Sequence, residues 1–218
     1  MVLLIAHRGC SSNRHLLFPL QENTVSVIFK AATLGYMAVE VDVQLTRDGV
    51  PVMWHNDKFQ RKPIHSYTYS SIKQYNIDTL VAALLRFPYL CFNIELKIPK
   101  CYKRNATYKY DLVSATISAI KKANHRLIVL SSFDLDTCII AQALAPQKVY
   151  LITKSPKPLR TSLKVAKRNN LDGVVFDCKT TPVENKCIEY PHRLDIWCYN
   201  GTHPLATACI LDYRTSHA

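Results

Sequence analysis

Apolar residues along this chain follow two alternating patterns. Short continuous or every-second-residue apolar runs predict strands at residues 2–6, 38–46, 50–54, 91–97, 127–131, 149–153, 173–176 and 194–199, with residues 208–213 as a candidate last strand. Between them, apolar residues recur every three or four positions, which predicts amphipathic helices. We expect these helices from Asn23 or Thr24 to Gly35, and over 79–86, 110–123, 134–144 and 158–169.

The repeated order of strand and helix predicts a parallel sheet covered by helices. Seven core strands and a candidate eighth favour a (βα)8 barrel, at 218 residues smaller than the usual ~250. We expect one domain over residues 1–218, with a short insertion at about 50–69 and a shortened, degenerate eighth strand. An open doubly wound sheet is the alternative, but no glycine-rich dinucleotide loop follows the first strand.

Acidic residues occupy one face of two of the predicted strands. In 38–45, Glu40 and Asp42 alternate with valines, and in 91–97, Glu95 and Lys97 alternate with apolar residues. Because the apolar face of a barrel strand meets the helices, the acids should point into the barrel. Buried carboxylates need compensation, and clustered carboxylate oxygens suit a hard divalent ion such as Mg²⁺ or Ca²⁺. A buried network of acids with Lys97 is the alternative.

Two histidines lie where a barrel carries its chemistry. His7 and Arg8 follow the first strand at its carboxyl end, and His55 ends the strand that returns from the Asp48-Gly49 turn. Two histidines flanking a metal-bound phosphodiester can take a proton from the attacking oxygen and give one to the leaving alkoxide. Arg8 and Lys97 would then stabilise charge on the phosphoryl oxygens.

Charge and cysteine usage narrow the functional classes. The excess of 28 Lys and Arg over 16 Asp and Glu gives a net charge of +12, which favours anionic partners: phosphate esters, nucleic acid or an acidic membrane face. The charge alone does not choose among them, but nucleic acid is disfavoured because no recognition motif appears. The histidine and acid pattern favours a small phosphodiester substrate, with an anionic membrane surface as a candidate peripheral contact. The eight cysteines form no C-x-x-C pair, so we expect reduced thiols without zinc. The apolar run at 2–6 is too short for a signal peptide or membrane span, so we expect a cytoplasmic protein.

Several segments resemble, in order, the motifs of the glycerophosphodiester phosphodiesterase family. They are Ala6-His7-Arg8-Gly9, Gln21-Glu22-Asn23-Thr24, Glu40-Val41-Asp42-Val43, Thr46-Arg47-Asp48-Gly49, Val52-Met53-Trp54-His55, Asn93-Ile94-Glu95-Leu96-Lys97, Ser131-Ser132-Phe133 and Trp197-Cys198-Tyr199-Asn200. Each motif alone is weak, whereas the ordered set is specific. The resemblance covers most of the chain.

This resemblance implies a (βα)8 barrel that cleaves glycerophosphodiesters to sn-glycerol 3-phosphate and an alcohol such as choline or ethanolamine, in lipid metabolism. It implies a role for each site residue: His7 and His55 as catalytic acid and base, Glu40, Asp42 and Glu95 as ligands of Mg²⁺ or Ca²⁺, Arg8 and Lys97 as phosphate-binding residues, and Phe133 and Trp197 as pocket residues.

The chain departs from the family pattern at several positions. Gln21 replaces a usual proline, Asn56 replaces the aspartate after the second histidine, and Cys198 replaces a threonine. The closing strand is missing or eroded after Asn200, where 208–213 is its candidate remnant. Asn56 and the shortened tail keep one alternative open, a catalytically impaired barrel that acts as a binding protein. Among enzymes, a related lipid phosphodiesterase of the phospholipase C or D type is the other alternative.

Overall fold

A computed structural model describes residues 2–9, 20–153, 159–179, 194–199 and 206–211. Within these ranges the strands are β1 Leu3–Ala6, β2 Ala38–Leu45, β3 Pro51–Met53, β4 Cys91–Leu96, β5 Ile128–Ser132, β6 Lys148–Thr153, β7 Gly173–Asp177, β8 Asp195–Tyr199 and β9 Ala208–Leu211. The helices are α1 Val25–Thr33, α2 Tyr69–Ile72, α3 Leu80–Arg86, α4 Ala106–Ala123, α5 Leu135–Leu144 and α6 Leu159–Arg168. The predicted positions 158, 200, 201, 212 and 213 lie outside the described residues.

Eight parallel strands close into a barrel. The order is β1-β9-β8-β7-β6-β5-β4-β2, and β1 also pairs with β2, which completes the circle. The ninth strand, β3, is antiparallel to the end of β2, with Val43 opposite Met53. The predicted (βα)8 barrel is therefore confirmed, with the returning strand attached at its rim.

The closing strand is better formed than the sequence suggests. Ala208–Leu211 pairs with β1 along its whole length and with β8 at Trp197, Cys198 and Tyr199. Four residues are enough to close a barrel when both neighbours supply backbone partners. The candidate last strand predicted at 208–213 is thus confirmed over Ala208–Leu211, where pairing on two sides compensates for a weak local signal.

The barrel separates two apolar regions. The larger core lies between the sheet and the helices and includes Val39, Val41 and Val43 of β2. A smaller cluster fills the barrel interior with Ile5, Tyr150 and other side chains. Valines on β2 therefore face the helices, as predicted from the alternation, and the residues between them face inward.

Side-chain caps fix the helix starts. Thr24 accepts a hydrogen bond from the amide of Val27 at the start of α1. Asn105 accepts from the amide of Tyr108 at 2.9 Å, so α4 begins at Ala106, ahead of the predicted start at residue 110. The apolar stripe alone misses this first turn, because its exposed residues carry no hydrophobic pattern.

The segment after β2 builds a small apolar cluster of its own. It buries side chains at positions 52, 59, 64, 72 and 77 against one another. This cluster anchors β3, from whose end His55 extends. Among the described residues, no helix combines the length and apolar character needed to cross a bilayer.

Candidate active site

Three carboxylates from two neighbouring strands meet inside the barrel. Glu40 and Asp42 lie on β2 and Glu95 on β4, where Asp42 and Glu95 are direct partners in the strand register. One oxygen from each of the three lies within 4.8 Å of the others. All three are buried, with at most 7% of the residue exposed. The structure thus brings together the acids that the alternation pattern placed on the inner face.

Burial and mutual repulsion perturb these carboxylates. Burial, followed by repulsion from Asp42, raises the pKa of Glu40 to about 8 despite the opposing charge of His7. Burial and Asp42 likewise raise the pKa of Glu95 to about 7. Burial also acts to raise the pKa of Asp42, but Lys97, His55, Arg8 and a hydrogen bond from Asn23 together lower it. Ionising all three carboxyl groups together is therefore unfavourable unless a further positive charge is added.

One buried acceptor in the cluster has no partner. Oε1 of Glu40 makes no hydrogen bond and is closed to solvent. An unpaired buried carboxylate oxygen is costly, and a bound cation would satisfy it. Oxygen donors alone, without sulfur or imidazole, are typical of Mg²⁺ and Ca²⁺ sites. The residues present therefore fit the divalent ion that the sequence predicts.

Two basic side chains border the acids. The ammonium Nζ of Lys97 lies 3.1 Å from Oδ1 of Asp42 and 2.9 Å from Oε1 of Glu95. Nη1 of Arg8 lies 3.0 Å from Oε2 of Glu22, and Nε of Arg8 is 3.6 Å from Oδ2 of Asp42. Lys97 therefore contacts carboxylates directly, and the acid–lysine network considered from the sequence is part of the site.

A strained turn carries the first histidine. Arg8 has a φ of 49°, in the left-handed region, and its backbone amide donates to Oε2 of Glu40 at 2.9 Å. Gly9 follows with a φ of +74°, and a Cβ there would lie 2.7 Å from a methyl carbon of Val27. Only glycine fits this position. The turn places Nε2 of His7 3.8 Å from Oε2 of Glu40.

The residues before and after the second histidine, His55, are both fixed by hydrogen bonds. Nε2 of Gln44, on the inner face of β2, donates to the carbonyls of Trp54 and Asn56, each at 2.9 Å. His55 lies between these two residues, and its Nδ1 is 3.9 Å from Oε1 of Glu22. Burial is the largest effect and lowers the pKa of His55; the negative charge of Asp42 opposes this shift, and the positive charges of Lys97 and Arg8 add to it. This environment favours the neutral imidazole.

Asn56 takes over a contact to the histidine at the position where the family has aspartate. Its Oδ1 lies 3.3 Å from Nδ1 of His55. An amide oxygen there accepts a proton on Nδ1, which leaves Nε2 as the proton acceptor. Asp57 instead points away, with its Oδ2 4.0 Å from Nζ of Lys100. The contact to Nδ1 of His55 is thus made by Asn56, whereas the ion pair of Asp57 is with Lys100.

The two aromatic candidates differ in position. The Phe133 ring lies 5.9 Å from Nζ of Lys97 and lines a cleft beside Glu95. Trp197 is 7% exposed and packs on Tyr150 within the interior cluster. Tyr199, two residues further along the same strand face, also packs against this cluster, and burial followed by the charges of Asp177 and Glu95 raises the pKa of its hydroxyl.

Sequence reasoning missed several positioning residues. Asn23, with a φ of 57°, donates to Oδ2 of Asp42 at 3.0 Å and accepts from the Asp42 amide at 2.9 Å. Glu22 links Arg8 to the second histidine. The motif around residues 21–24 contained both, but as a helix start. The alternation predicted the inward position of Gln44, but not its hydrogen bonds to the carbonyls of Trp54 and Asn56 in the loop after β3.

Comparison with known proteins settles the family. Residues 7–186 match the model of the glycerophosphoryl diester phosphodiesterase family. The chain belongs to this family. The match spans both histidines and all three acids described above. Membership confirms the resemblance seen in the motifs.

Curated relatives of this phosphodiesterase family come from distant organisms. The chain is 25% identical to glycerophosphocholine phosphodiesterase gde1 of Schizosaccharomyces pombe, over 91% of this chain and 25% of that protein. It is 30% identical to a glycerophosphodiester phosphodiesterase of Caldanaerobacter subterraneus subsp. tengcongensis, over 66% of this chain and 63% of that protein. The chain thus spans a quarter of the first relative and just under two thirds of the second.

Solved structures of phosphodiesterases share the barrel. A putative glycerophosphodiester phosphodiesterase from Galdieria sulphuraria superposes with a TM-score of 0.81 at 17% identity, covering 98% of this chain and 94% of that one. A phosphodiesterase from Oleispira antarctica, solved in complex with the product sn-glycerol-3-phosphate, gives 0.76 at 20% identity, covering 96% and 92%. At these identities the likeness establishes the fold.

Proposed function

We propose that this chain is a metal-dependent phosphodiesterase that hydrolyses glycerophosphodiesters to sn-glycerol 3-phosphate and an alcohol such as choline or ethanolamine. One observation carries the proposal: three buried carboxylates with an unsatisfied Glu40 oxygen lie between His7 and His55 at the mouth of a barrel of this family. Such a cluster is costly for a protein that does not use it. Family membership supplies the substrate class.

The acids would hold one divalent cation. Glu40, Asp42 and Glu95 offer oxygen donors from two strands whose spacing is fixed by the sheet register. When bound, a divalent ion polarises the phosphoryl group and stabilises the charge that develops on its oxygens. Mg²⁺ and Ca²⁺ both suit this donor set.

The histidines would divide the proton transfers. Hydrolysis forms a bond from phosphorus to a water oxygen and breaks the bond to the alcohol oxygen. One imidazole takes the proton of the attacking water, and the other gives a proton to the departing alkoxide. The lowered pKa of His55, caused by burial first, and the contact of Nδ1 with Asn56 suit it to the role of base at Nε2. His7, beside Glu40, would then serve as the acid.

Arg8 and Lys97, at the mouth of the barrel beside the three carboxylates, would hold the phosphate. Both lie next to Asp42 and both remain partly exposed at the mouth, with 23% and 17% of their side chains accessible. Phe133 and Trp197 would line the pocket for the organic part of the substrate, Phe133 at its rim and Trp197 from below.

A second candidate is a barrel that binds a ligand without turnover. The specific observation in its favour is the position of the Lys97 ammonium, within 3.1 Å of two of the three acids. A lysine that neutralises the cluster permanently would compete with a cation. Under this hypothesis the protein would bind phosphodiesters with no metal requirement.

Hydrolysis of glycerophosphocholine tests the proposal. We expect release of glycerol 3-phosphate and choline with Mg²⁺ or Ca²⁺, and none after chelation with EDTA. The Glu95→Gln variant should be inactive, and Asp111→Asn, which changes an exposed acid on α4, should match the wild type. Binding without hydrolysis would instead support the binding protein. Release of phosphocholine, or preferred cleavage of a lysophospholipid, would assign a phospholipase C or D type of reaction.

A further inference from the structure

The end of the barrel opposite the mouth has a distinct surface. Strands begin there and helices end there, because each helix runs antiparallel to the strands it connects. We call this surface the N-terminal face. Its described residues are the first residues of the eight parallel strands and those just before them, and the last turns of α1, α3, α4, α5 and α6.

Large apolar side chains are exposed on this face. They include Leu3 at 37%, Leu4 at 47%, Leu34 at 44%, Met37 at 68%, Tyr89 at 87% and Leu127 at 49%. Single exposed apolar residues are ordinary, but a contiguous set marks an interaction surface.

Backbone contacts show that these residues are neighbours. The carbonyl of Met37 accepts from the amide of Cys91, two residues after Tyr89, and the carbonyl of Leu127 accepts from the amide of Phe92. Ile5 is paired with Ala38, which places Leu4 beside Met37. Leu4, Met37, Tyr89 and Leu127 are therefore neighbours across the starts of β1, β2, β4 and β5, and we call these four residues the stripe.

Basic side chains surround the stripe. They are Arg86 at the end of α3, Lys121 and Lys122 at the end of α4, Arg126 before β5, and Lys167 and Arg168 at the end of α6, all exposed. Among the described residues, no carboxylate lies within ion-pair distance of any of them.

Acids are scarce on this face. The described ones are Asp172 and Asp195, and both are already engaged. Asp172 accepts from the amide of Val149 at 2.9 Å, and Asp195 pairs with Lys148 at 2.7 Å. The mouth shows the opposite pattern, with clustered acids. Among the described residues of this face, basic side chains therefore outnumber acidic ones, and both acids already have partners.

Helix dipoles explain part of this distribution, because basic residues stabilise helix carboxyl ends. They do not explain Arg126, which lies outside a helix, and they give no reason for exposed leucine, methionine and tyrosine among the charges. An apolar stripe bordered by lysine and arginine is the pattern of surfaces that insert shallowly into anionic bilayers. Aliphatic side chains contribute nothing to a nucleic-acid backbone contact, which disfavours that partner.

We propose that the N-terminal face binds peripherally to an anionic phospholipid surface. The stripe would enter the headgroup region while the basic residues contact lipid phosphates. The mouth, at the other end of the barrel, would then open toward the aqueous phase. This orientation suits a substrate that has already lost its acyl chains, because such a diester reaches the site from water.

Vesicle cosedimentation tests the proposal. We expect binding to phosphatidylcholine vesicles that contain about one third phosphatidylserine and none to pure phosphatidylcholine. The pair Lys122→Glu with Arg126→Glu, and separately Met37→Asp with Leu127→Asp, should each reduce the partition coefficient by at least about tenfold. All four residues are exposed, so these variants should fold.

Matched controls separate this face from general charge and hydrophobicity. Lys62→Glu with Lys73→Glu changes two exposed lysines of the segment after β3, and Tyr110→Asp changes an exposed aromatic residue near the start of α4. Both controls should bind vesicles like the wild type. Equal losses in the controls, or no binding to anionic vesicles, would overturn the proposal.

Binding to duplex DNA or RNA that depends on Lys122 and Arg126 but not on Met37 and Leu127 would instead assign a nucleic-acid surface. Hydrolysis of glycerophosphocholine should be unchanged in all variants, so the membrane proposal and the catalytic one fail independently.

Discussion

Two polar clusters lie at the two ends of the barrel, and they differ in charge balance. At the N-terminal end, Asp195 pairs with Nζ of Lys148 at 2.7 Å and accepts a hydrogen bond from the hydroxyl of Tyr150. At the mouth, three carboxylates face Lys97 and an Arg8 that is also paired with Glu22. The first cluster satisfies its own charges, whereas the second leaves an oxygen of Glu40 without a partner.

The electrostatics follow the same division. Burial acts to raise the pKa of Asp195, but hydrogen bonds from Lys148 and Tyr150 outweigh it and lower the pKa. Burial and repulsion raise the pKa of Glu40 to about 8. A carboxylate whose partners are complete stabilises the fold, and a buried carboxylate without enough partners indicates a missing ligand. A buried polar residue inside a barrel therefore indicates a binding site only when its hydrogen-bond and ion-pair partners leave it unsatisfied.

Substitution of one acid in each cluster should separate the two roles. Glu95→Gln should reduce hydrolysis of glycerophosphocholine by at least about a hundredfold, because the lost oxygen weakens the cation site. Asp195→Asn should keep the wild-type rate. Initial rates together with calorimetric titration of Ca²⁺ measure both effects. A comparable loss of rate in Asp195→Asn would contradict the division between the ends.

The histidines extend the comparison. His7→Ala and His55→Ala should each lose on the order of 10²–10⁴-fold in rate while remaining folded. His125 serves as the control, since it is buried beside strand β5 and its Nε2 contacts the carbonyl of Phe87 at 3.1 Å. His125→Ala should keep its rate per folded molecule, measured with circular dichroism as the check on folding. Similar losses in all three variants would refute the catalytic assignment.

Positioning residues at the mouth should give smaller and separable effects. Asn23→Ala should weaken Ca²⁺ binding by about 10–100-fold, because Asn23 orients Asp42 through two hydrogen bonds. Gln44→Met should lower kcat about tenfold with unchanged Ca²⁺ affinity, since Gln44 holds only the carbonyls beside the second histidine. If both variants lose metal affinity equally, the two contacts do not have separate roles.

The smallest expected effect concerns the pH dependence of stability. The pKa of Asp195 is lower in the folded protein than in the unfolded chain, so its contribution is present above the unfolded pKa of about 4 and is lost as pH falls through the folded value. The contribution is less than about 1 kcal/mol, because both partners are partly exposed. Urea unfolding at pH 6 and pH 3 should show a smaller pH difference for Asp195→Asn than for the wild type. An equal difference would mean that Lys148 and Tyr150 do not stabilise the ionised form.

Local patterns predicted most of the elements and the inner face of the site strands. Strict alternation around Glu40 and Asp42 decided which side chains enter the barrel, because the side-chain period of a strand is two residues. Turn residues such as Gly9 were also visible as punctuation. The start of α4 at Ala106 was missed because its cap, Asn105, acts through one hydrogen bond and not through periodicity.

Hydrophobic periodicity did not predict the contacts between segments that are far apart in sequence. The sequence by itself determined the order of strands and helices, the family motifs and the inward direction of the acids. Only the tertiary structure decided that Asp42 is level with Glu95, that Lys97 lies between them, that Gln44 holds the second histidine, and that a four-residue β9 closes the barrel. The physical reason is that periodicity is a property of neighbouring residues, whereas register, ion pairing and barrel closure depend on how strands far apart in sequence are staggered against one another.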